Sequence, residues 1–251
     1  MTQPFTDRAY LLIGGYGSIG SDLARRLTEG GASLTIAGRD GDKAKALADE
    51  LGGQAQAVDA TDPQAVDALV ADAADAHGRL DGAVNLAGSI LIKPAHLTKP
   101  DELTDTLAQN VVTAFNLVRA ASQAMRKSGG SIVLMSSAAG TAGLPNHEAI
   151  AAAKAAVAGL ARSAAATYAS TGLRVNAVAP GMVRGNMSAP VLASETAEKA
   201  STAMHPLGRL GEPADVASLI AWLLDPAQTW ASGSVYEVDG GLANLRGRMK
   251  V

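Results

Sequence analysis

Three times in the first 80 residues, a short run suited to a strand passes into a segment with apolar residues at helical spacing, and a fourth such run follows. Ala9 to Ile13 (AYLLI) precedes Leu23 and Leu27, and Ser33 to Ala37 (SLTIA) precedes Ala44, Leu47, Ala48 and Leu51. Gln54 to Val58 precedes an amphipathic segment entered through Asp62-Pro63, a cap residue followed by a proline suited to a first helical turn, and Asp81 to Asn85 is the fourth run. Such alternation predicts an α/β fold, a Rossmann-type doubly wound parallel sheet with helices on both faces. Further strands are expected at Gly130 to Met135, Arg174 to Val178 and Gly233 to Val238, about seven in all. A chain of 251 residues can bury its core as one domain, 1–251.

The first run flows into Gly14-Gly15-Tyr16-Gly17-Ser18-Ile19-Gly20. Glycines at a strand–helix turn let backbone amides approach a pyrophosphate at a helix N-terminus, where the dipole favours negative charge. A tight turn with no ligand has the same composition. The second run ends in Gly38-Arg39-Asp40. A carboxylate at that place accepts both ribose hydroxyls of NAD, whereas NADP needs the acid absent and a cation nearby. Gly38 and Arg39 therefore predict NADP(H), with Arg39 pairing the 2′-phosphate and Asp40 partly neutralising the site.

A long helix is expected from Asp101 to about Lys127, with Leu103, Leu107, Val111 and Leu117 or Val118 on one face and Asn110 interrupting it. The fifth strand delivers Ser136 and Ser137 to its C-terminal end, where open α/β sheets bind ligands. A second long helix, His147 to about Ser170, would set residues 147, 150 and 154 on one narrow face. Asn146 would be its cap.

Together these segments resemble the short-chain dehydrogenase/reductase family over about residues 8 to 242. The family's TGxxxGxG is matched by Ile13 to Gly20, with Ile13 for Thr and Ser18 for the middle Gly. Its Asn-Asn-Ala-Gly is matched by Asn85-Leu86-Ala87-Gly88, its catalytic Asn region by Asn110, and its Ser-Ser-x-x-Gly by Ser136 to Gly140. Its Pro-Gly-x-Ile-x-Thr is matched by Pro180-Gly181-Met182-Val183-Arg184-Gly185, with Gly185 for Thr. In its Tyr-x-x-x-Lys, Lys154 is present and the tyrosine place is Ile150. The resemblance implies a coenzyme held by Gly14, Tyr16, Ser18, Ile19, Gly20, Arg39, Asp59, Ala60, Asn85, Ala87, Gly88, Lys154, Pro180, Gly181 and Val183. It implies catalysis through Ser137, Lys154 and Asn110, the last holding a water against the lysine. It further implies a variable lid over about 186–208 and a homotetramer or homodimer, with a dimer seam formed by the helices carrying Asn110 and Lys154 and a second interface at the last strand.

The missing phenol divides the functional readings. His147 precedes Lys154 by seven residues, about 10 Å along a helix, and matches the Tyr-x₆-Lys spacing of enoyl-thioester reductases with histidine in the tyrosine's place. It could donate the proton or position a water; it could equally be a helix-start residue without function. Three readings stand: an NADPH-dependent reductase of carbonyls or activated alkenes, an enoyl-thioester-type reductase, and a catalytically inactive cofactor-binding scaffold.

Composition excludes other classes. Two Phe, two Trp and four Tyr offer no stacking platform for nucleic acid, and the net charge of −3 gives no basic block beyond Arg246, Arg248 and Lys250. With no cysteine there is no disulfide or thiolate chemistry, and His77, His96 and His205 show no metal spacing. The absence of a leader-like N-terminus or a run of twenty strongly apolar residues predicts a soluble cytoplasmic protein acting on a small molecule, with no membrane partner.

Overall fold

The computed structural model describes residues 3–246; Arg248 and Lys250 of the basic tail lie outside the described residues. Seven strands, β1 (Ala9–Ile13), β2 (Ser33–Gly38), β3 (Gln54–Ala57), β4 (Gly82–Asn85), β5 (Gly130–Met135), β6 (Leu173–Pro180) and β7 (Val235–Val238), form one parallel sheet in the order β3-β2-β1-β4-β5-β6-β7. Among the described residues eight α-helices accompany it: α1 (Ser18–Glu29), α2 (Gly41–Leu51), α3 (Pro63–His77), α4 (Pro100–Leu107), α5 (Thr113–Ala124), α6 (Glu148–Tyr168), α7 (Glu195–Ala203) and α8 (Pro213–Leu224).

The strand periodicity divides the core. On β1, Leu11 and Ile13 face α3, α5 and α6 through Val66, Leu69, Leu117 and Val157, while Tyr10 and Leu12 face α1, α2 and α8 through Leu23, Leu27, Leu47 and Ile220. Strand order reverses between β1 and β4, which leave the sheet level with each other because Ile13 pairs with both Ala37 and Asn85. A crevice opens where the chain turns to opposite faces. Asp62 caps α3 through the amides of Gln64 and Ala65, with Pro63 in the first turn, a contribution of about 1 kcal/mol.

Two helices differ from the sequence expectation. The run expected as one helix over 101–127 is α4, a π-turn over Ala108–Val112, and α5. In the π-turn the Thr113 amide reaches back to Ala108 O, and the Asn110 side chain donates to Thr106 O at 2.8 Å. The rotation also overturns the expected apolar face: Leu103 and Leu107 are exposed, while Thr106, Asn110, Thr113, Ala114 and Leu117 point inward. Likewise α6 begins at Glu148, not His147. Asn146 is left-handed at φ +63° and caps nothing; its carbonyl instead accepts the Lys93 amide at 2.7 Å.

One segment, Glu148–Thr171, is long and apolar enough by composition to cross a membrane, yet half of it is buried inside the fold, packed on β6. That is the signature of a core helix on a sheet.

Candidate active site

The first wall of the crevice is made of backbone. α1 starts after Gly17 with no side chain covering its first amides, so a helix N-terminus is left free for an anion. The turn is compressed: a Cβ on Gly20 would lie 2.6 Å from Gly15 O and 2.7 Å from Gly14 O. Tyr16 closes the β2 side of this wall. Its hydroxyl accepts the Asp40 amide at 3.1 Å, and its ring lies where a side chain at Gly38 would be, 2.5 Å from the position of a Cβ. No carboxylate can stand at position 38 without displacing Tyr16. Asp40 is occupied as the cap of α2, accepting the Lys43 amide and pairing with its ammonium.

The second wall is made of side chains. The Ser136 hydroxyl donates to Lys154 O at 2.9 Å, and Lys154 Nζ donates to Met135 O at 2.8 Å, so residues 135 and 136 grip the lysine at both ends. Gly140 lets α6 pack on this turn, since a Cβ there would be 2.9 Å from Lys154 C. Lys154 is 8 % exposed, and burial pushes its ammonium down to about 8. Among the contacts of its three N–H bonds only the Met135 carbonyl is a protein acceptor. Ser137 points the same way, its oxygen accepting the Ala139 amide at 3.1 Å and its hydroxyl directed at Pro180 O, 3.5 Å away. Ile150 is buried, 4 % exposed, and adds hydrocarbon to the lining of the same cleft.

These walls enclose a cleft of about 500 Å³. It brings together Gly14, Tyr16, Ser18, Ile19, Gly20, Ala87, Gly88, Ser137, His147, Ile150, Lys154, Pro180, Gly181 and Val183. Arg39, Asp59, Ala60, Asn85 and Asn110 do not reach its surface. Asn110 stands directly behind it: its amide holds Ser89 and Thr106, and its oxygen and Lys154 Nζ both abut Gly88. Asn85 is a strut, donating to Thr113 Oγ1 and accepting the Ala87 amide. Asp59 binds the amide and hydroxyl of Thr61, which, with a smaller contribution from the cationic Arg39, holds its carboxyl below the usual range. Arg39 itself is exposed.

A family model described as enoyl-(acyl carrier protein) reductase matches residues 14–243. The chain is 37 % identical over 230 residues to a protein of Xanthobacter autotrophicus named inactive 2-(S)-hydroxypropyl-CoM dehydrogenase 2, covering 89 % of this chain and all of that one. A solved short-chain type dehydrogenase/reductase from Mycobacterium ulcerans superposes with a TM-score of 0.92 at 32 % identity, covering 98 % of this chain and 93 % of the other. The chain belongs to the short-chain dehydrogenase/reductase family. Its relatives there are NAD(P)-dependent oxidoreductases, and a further structure, ElxO with NADP bound, matches with a TM-score of 0.88 at 28 % identity, covering 95 % of this chain and 99 % of that one.

Against the family pattern this short-chain dehydrogenase/reductase holds two histidines of note. His147 is half-buried at the head of α6, with Nδ1 2.7 Å from Pro145 O. A carbonyl partner makes Nδ1–H the donor, and His147 lines the cleft. His205, which the sequence places in a lid without a role, is buried. Its Nε2 accepts the Met182 amide at 3.1 Å and its Nδ1–H donates to Ser201 O at 2.7 Å, joining the segment after β6 to α7. Asn116 was also invisible in the sequence: its amide donates to the carbonyls of Ala60 and Thr61, fixing the turn after β3. A polar residue inside a helix's inward stripe was the available signal.

Proposed function

We propose that this protein is an NADP(H)-dependent oxidoreductase that moves a hydride between nicotinamide and a small, uncharged carbonyl compound or its alcohol. The observation that carries the reading is the single cleft on which the glycine turn, Ser137, Lys154 and Pro180 to Val183 meet. The cradle fits a dinucleotide: Gly20 has no room for a side chain, and the first amides of α1 are uncapped. Residues Gly14 to Gly20 would hold the pyrophosphate, with Arg39 on the 2′-phosphate and Asp59 and Ala60 at the adenine. Asn85, Ala87 and Gly88 would back one ribose, Lys154 would hold the other, and Pro180, Gly181 and Val183 would meet the carboxamide. NADPH supplies the hydride when bound.

The chain's own groups supply the rest. The Ser137 hydroxyl binds the carbonyl oxygen, and the Lys154 cation stabilises the charge that develops there. Asn110 keeps the wall behind Lys154 in register through Gly88 and Ser89. Ile150 offers no proton, so His147 in its doubly protonated imidazolium form gives up its Nε2 proton, directly or through a water, and is left neutral with Nδ1–H still on Pro145 O. The substrate end of the cleft is lined by Ile90, Ile92, Leu144, Met187, Val191 and Met204. Its Arg184 is already paired with Glu198 and Glu212, so among the described residues this end of the cleft offers an anionic substrate no unpaired arginine. Residues 186–208 act as the lid. The exposed Leu103, Leu107, Val112 and Phe115 along α4 and α5 support a dimer seam, and the exposed Trp222 and Trp230 near β7 support a second interface, giving a tetramer.

An NADPH fluorescence titration, followed by a panel of neutral ketones, enones and their carboxylated counterparts, tests the reading on wild type, His147→Ala and Ile150→Tyr. NADPH should bind all three, with neutral ketones preferred over carboxylates. Turnover should fall about a hundredfold in His147→Ala and rise by about 10² to 10⁴ in Ile150→Tyr. Absence of NADPH binding would end the oxidoreductase reading. Turnover confined to Ile150→Tyr favours a cofactor-binding scaffold, a second reading supported by the buried Ile150 and by the relative named inactive. Enone turnover lost in His147→Ala would favour the enoyl-type chemistry in the family model's description.

A further inference from the structure

Two departures from the family pattern, Ser18 and Gly185, are far apart in sequence and touch in the fold. Ser18 opens α1, and Gly185 lies in the segment that leaves β6; both line the cleft. A Cβ on Gly185 would lie 2.7 Å from Ser18 Oγ and 2.9 Å from Ser18 Cβ, closer than side chains pack. Gly185 does not adopt a positive φ, so its backbone does not require glycine; the room taken by Ser18 does. Ser18 Oγ also accepts the Asn186 amide at 3.3 Å.

The segment beyond is knotted around the same glycine. Gly185 O accepts the amides of Ser188 and Ala189 and the Ser188 hydroxyl, which also reaches Val183 O at 2.6 Å. Upstream, Arg184 N donates to Gly211 O, tying the segment to the base of α8. The knot over 183–189 is thus rigid in itself, and Ser18 is where it meets the first turn of α1.

We propose that Ser18 and Gly185 form a latch: Ser18 is a positioning residue that holds the 185–189 knot against the α1 N-terminus, and Gly185 is the space that lets it do so. The pair retains the coenzyme by keeping the lid's root closed over the phosphate end of the cleft. This rests on the coenzyme reading above, but the latch itself is a property of the ligand-free chain. Exchanging the side chain across the contact should therefore be tolerated better than adding one or removing one alone.

The test is a four-protein cycle of wild type, Ser18→Gly, Gly185→Ala and Ser18→Gly/Gly185→Ala, with Ser18→Ala as a milder control that removes only the acceptor. NADPH affinity is read by fluorescence and amide exchange of the 185–192 peptide by mass spectrometry without ligand. Gly185→Ala should weaken NADPH about tenfold and Ser18→Ala about threefold, both with faster exchange in 185–192; the double variant should recover most of the loss in both readouts, the mark of coupled neighbours. Additive effects, or exchange rates unchanged across the set, overturn the latch. If NADPH binds none of the proteins, the coenzyme reading fails and the exchange cycle still decides the latch.

Discussion

The turns after β1 and β5 are built to the same plan and fail differently. Each drops a helix onto a strand end through a glycine with no room for a methyl group, Gly20 against the carbonyls of Gly14 and Gly15, and Gly140 against the backbone of Lys154. The first delivers backbone amides and a helix N-terminus; the second delivers side chains. Binding that depends on backbone survives changes of residue, so Ile13 and Ser18 can depart from the usual pattern while the cradle keeps its shape. Proton delivery depends on one atom of one side chain. Ile150 carries no such atom at the family's tyrosine place and is buried in the wall as hydrocarbon, which is why the proposed mechanism turns to His147.

The harshest way to break this contrast is to put a side chain where the first turn has none. Gly20→Val would push its Cβ into two carbonyl oxygens at 2.6 and 2.7 Å. It should cost about 3 kcal/mol of stability, as overpacking does, measured by urea denaturation, and abolish detectable NADPH binding. If Gly20→Val binds NADPH normally, the first turn is not the cradle described above.

A gentler probe addresses the side-chain turn. Lys154 has a folded value of about 8 against an ordinary 10.5, lowered by burial. Between those values the unfolded chain carries a proton that the folded chain has lost, so stability should rise with pH from about 8 to about 10.5, by at most about 3 kcal/mol. Below pH 8 both states are protonated and the buried ammonium remains a constant cost. Lys154→Met should remove this rise and be as stable as wild type or more so near neutrality, while turnover falls with the loss of the cation. Urea midpoints across pH 7 to 10.5 for the two proteins check it; a parallel rise in both would assign the dependence elsewhere.

The contrast also explains what could be read from the sequence. Strand–helix alternation and the glycine spacing gave the sheet order its logic and located both turns, because backbone requirements restrict residue type at fixed positions. What sequence patterns do not carry are contacts between distant segments: Ser136 holding Lys154 from behind, His205 joining the segment after β6 to α7, and Tyr16 lying over Gly38. The π-turn at Asn110 escaped for a related reason. Periodicity counts 3.6 residues per turn, and one inserted residue rotates everything before it, which is why Leu103 and Leu107 seemed to belong to the core.

The smallest expected effect lies at the edge of the backbone-built half, where it does rely on a side chain. A carboxylate at position 38 would displace the Tyr16 ring, and on the coenzyme reading proposed above Arg39, exposed near Asp59, is the group that would discriminate between NADPH and NADH. An exposed charge-assisted pair with a phosphate is screened by salt and bonded to a flexible side chain, so it contributes modestly. Arg39→Ala should weaken NADPH about tenfold, leave NADH within about twofold, and narrow the difference further as ionic strength rises. Fluorescence titrations with both coenzymes at low and high salt measure it. Equal losses for NADPH and NADH would mean that Arg39 serves the adenine face instead of the 2′-phosphate, and that even the rim of this half is indifferent to which side chain it carries.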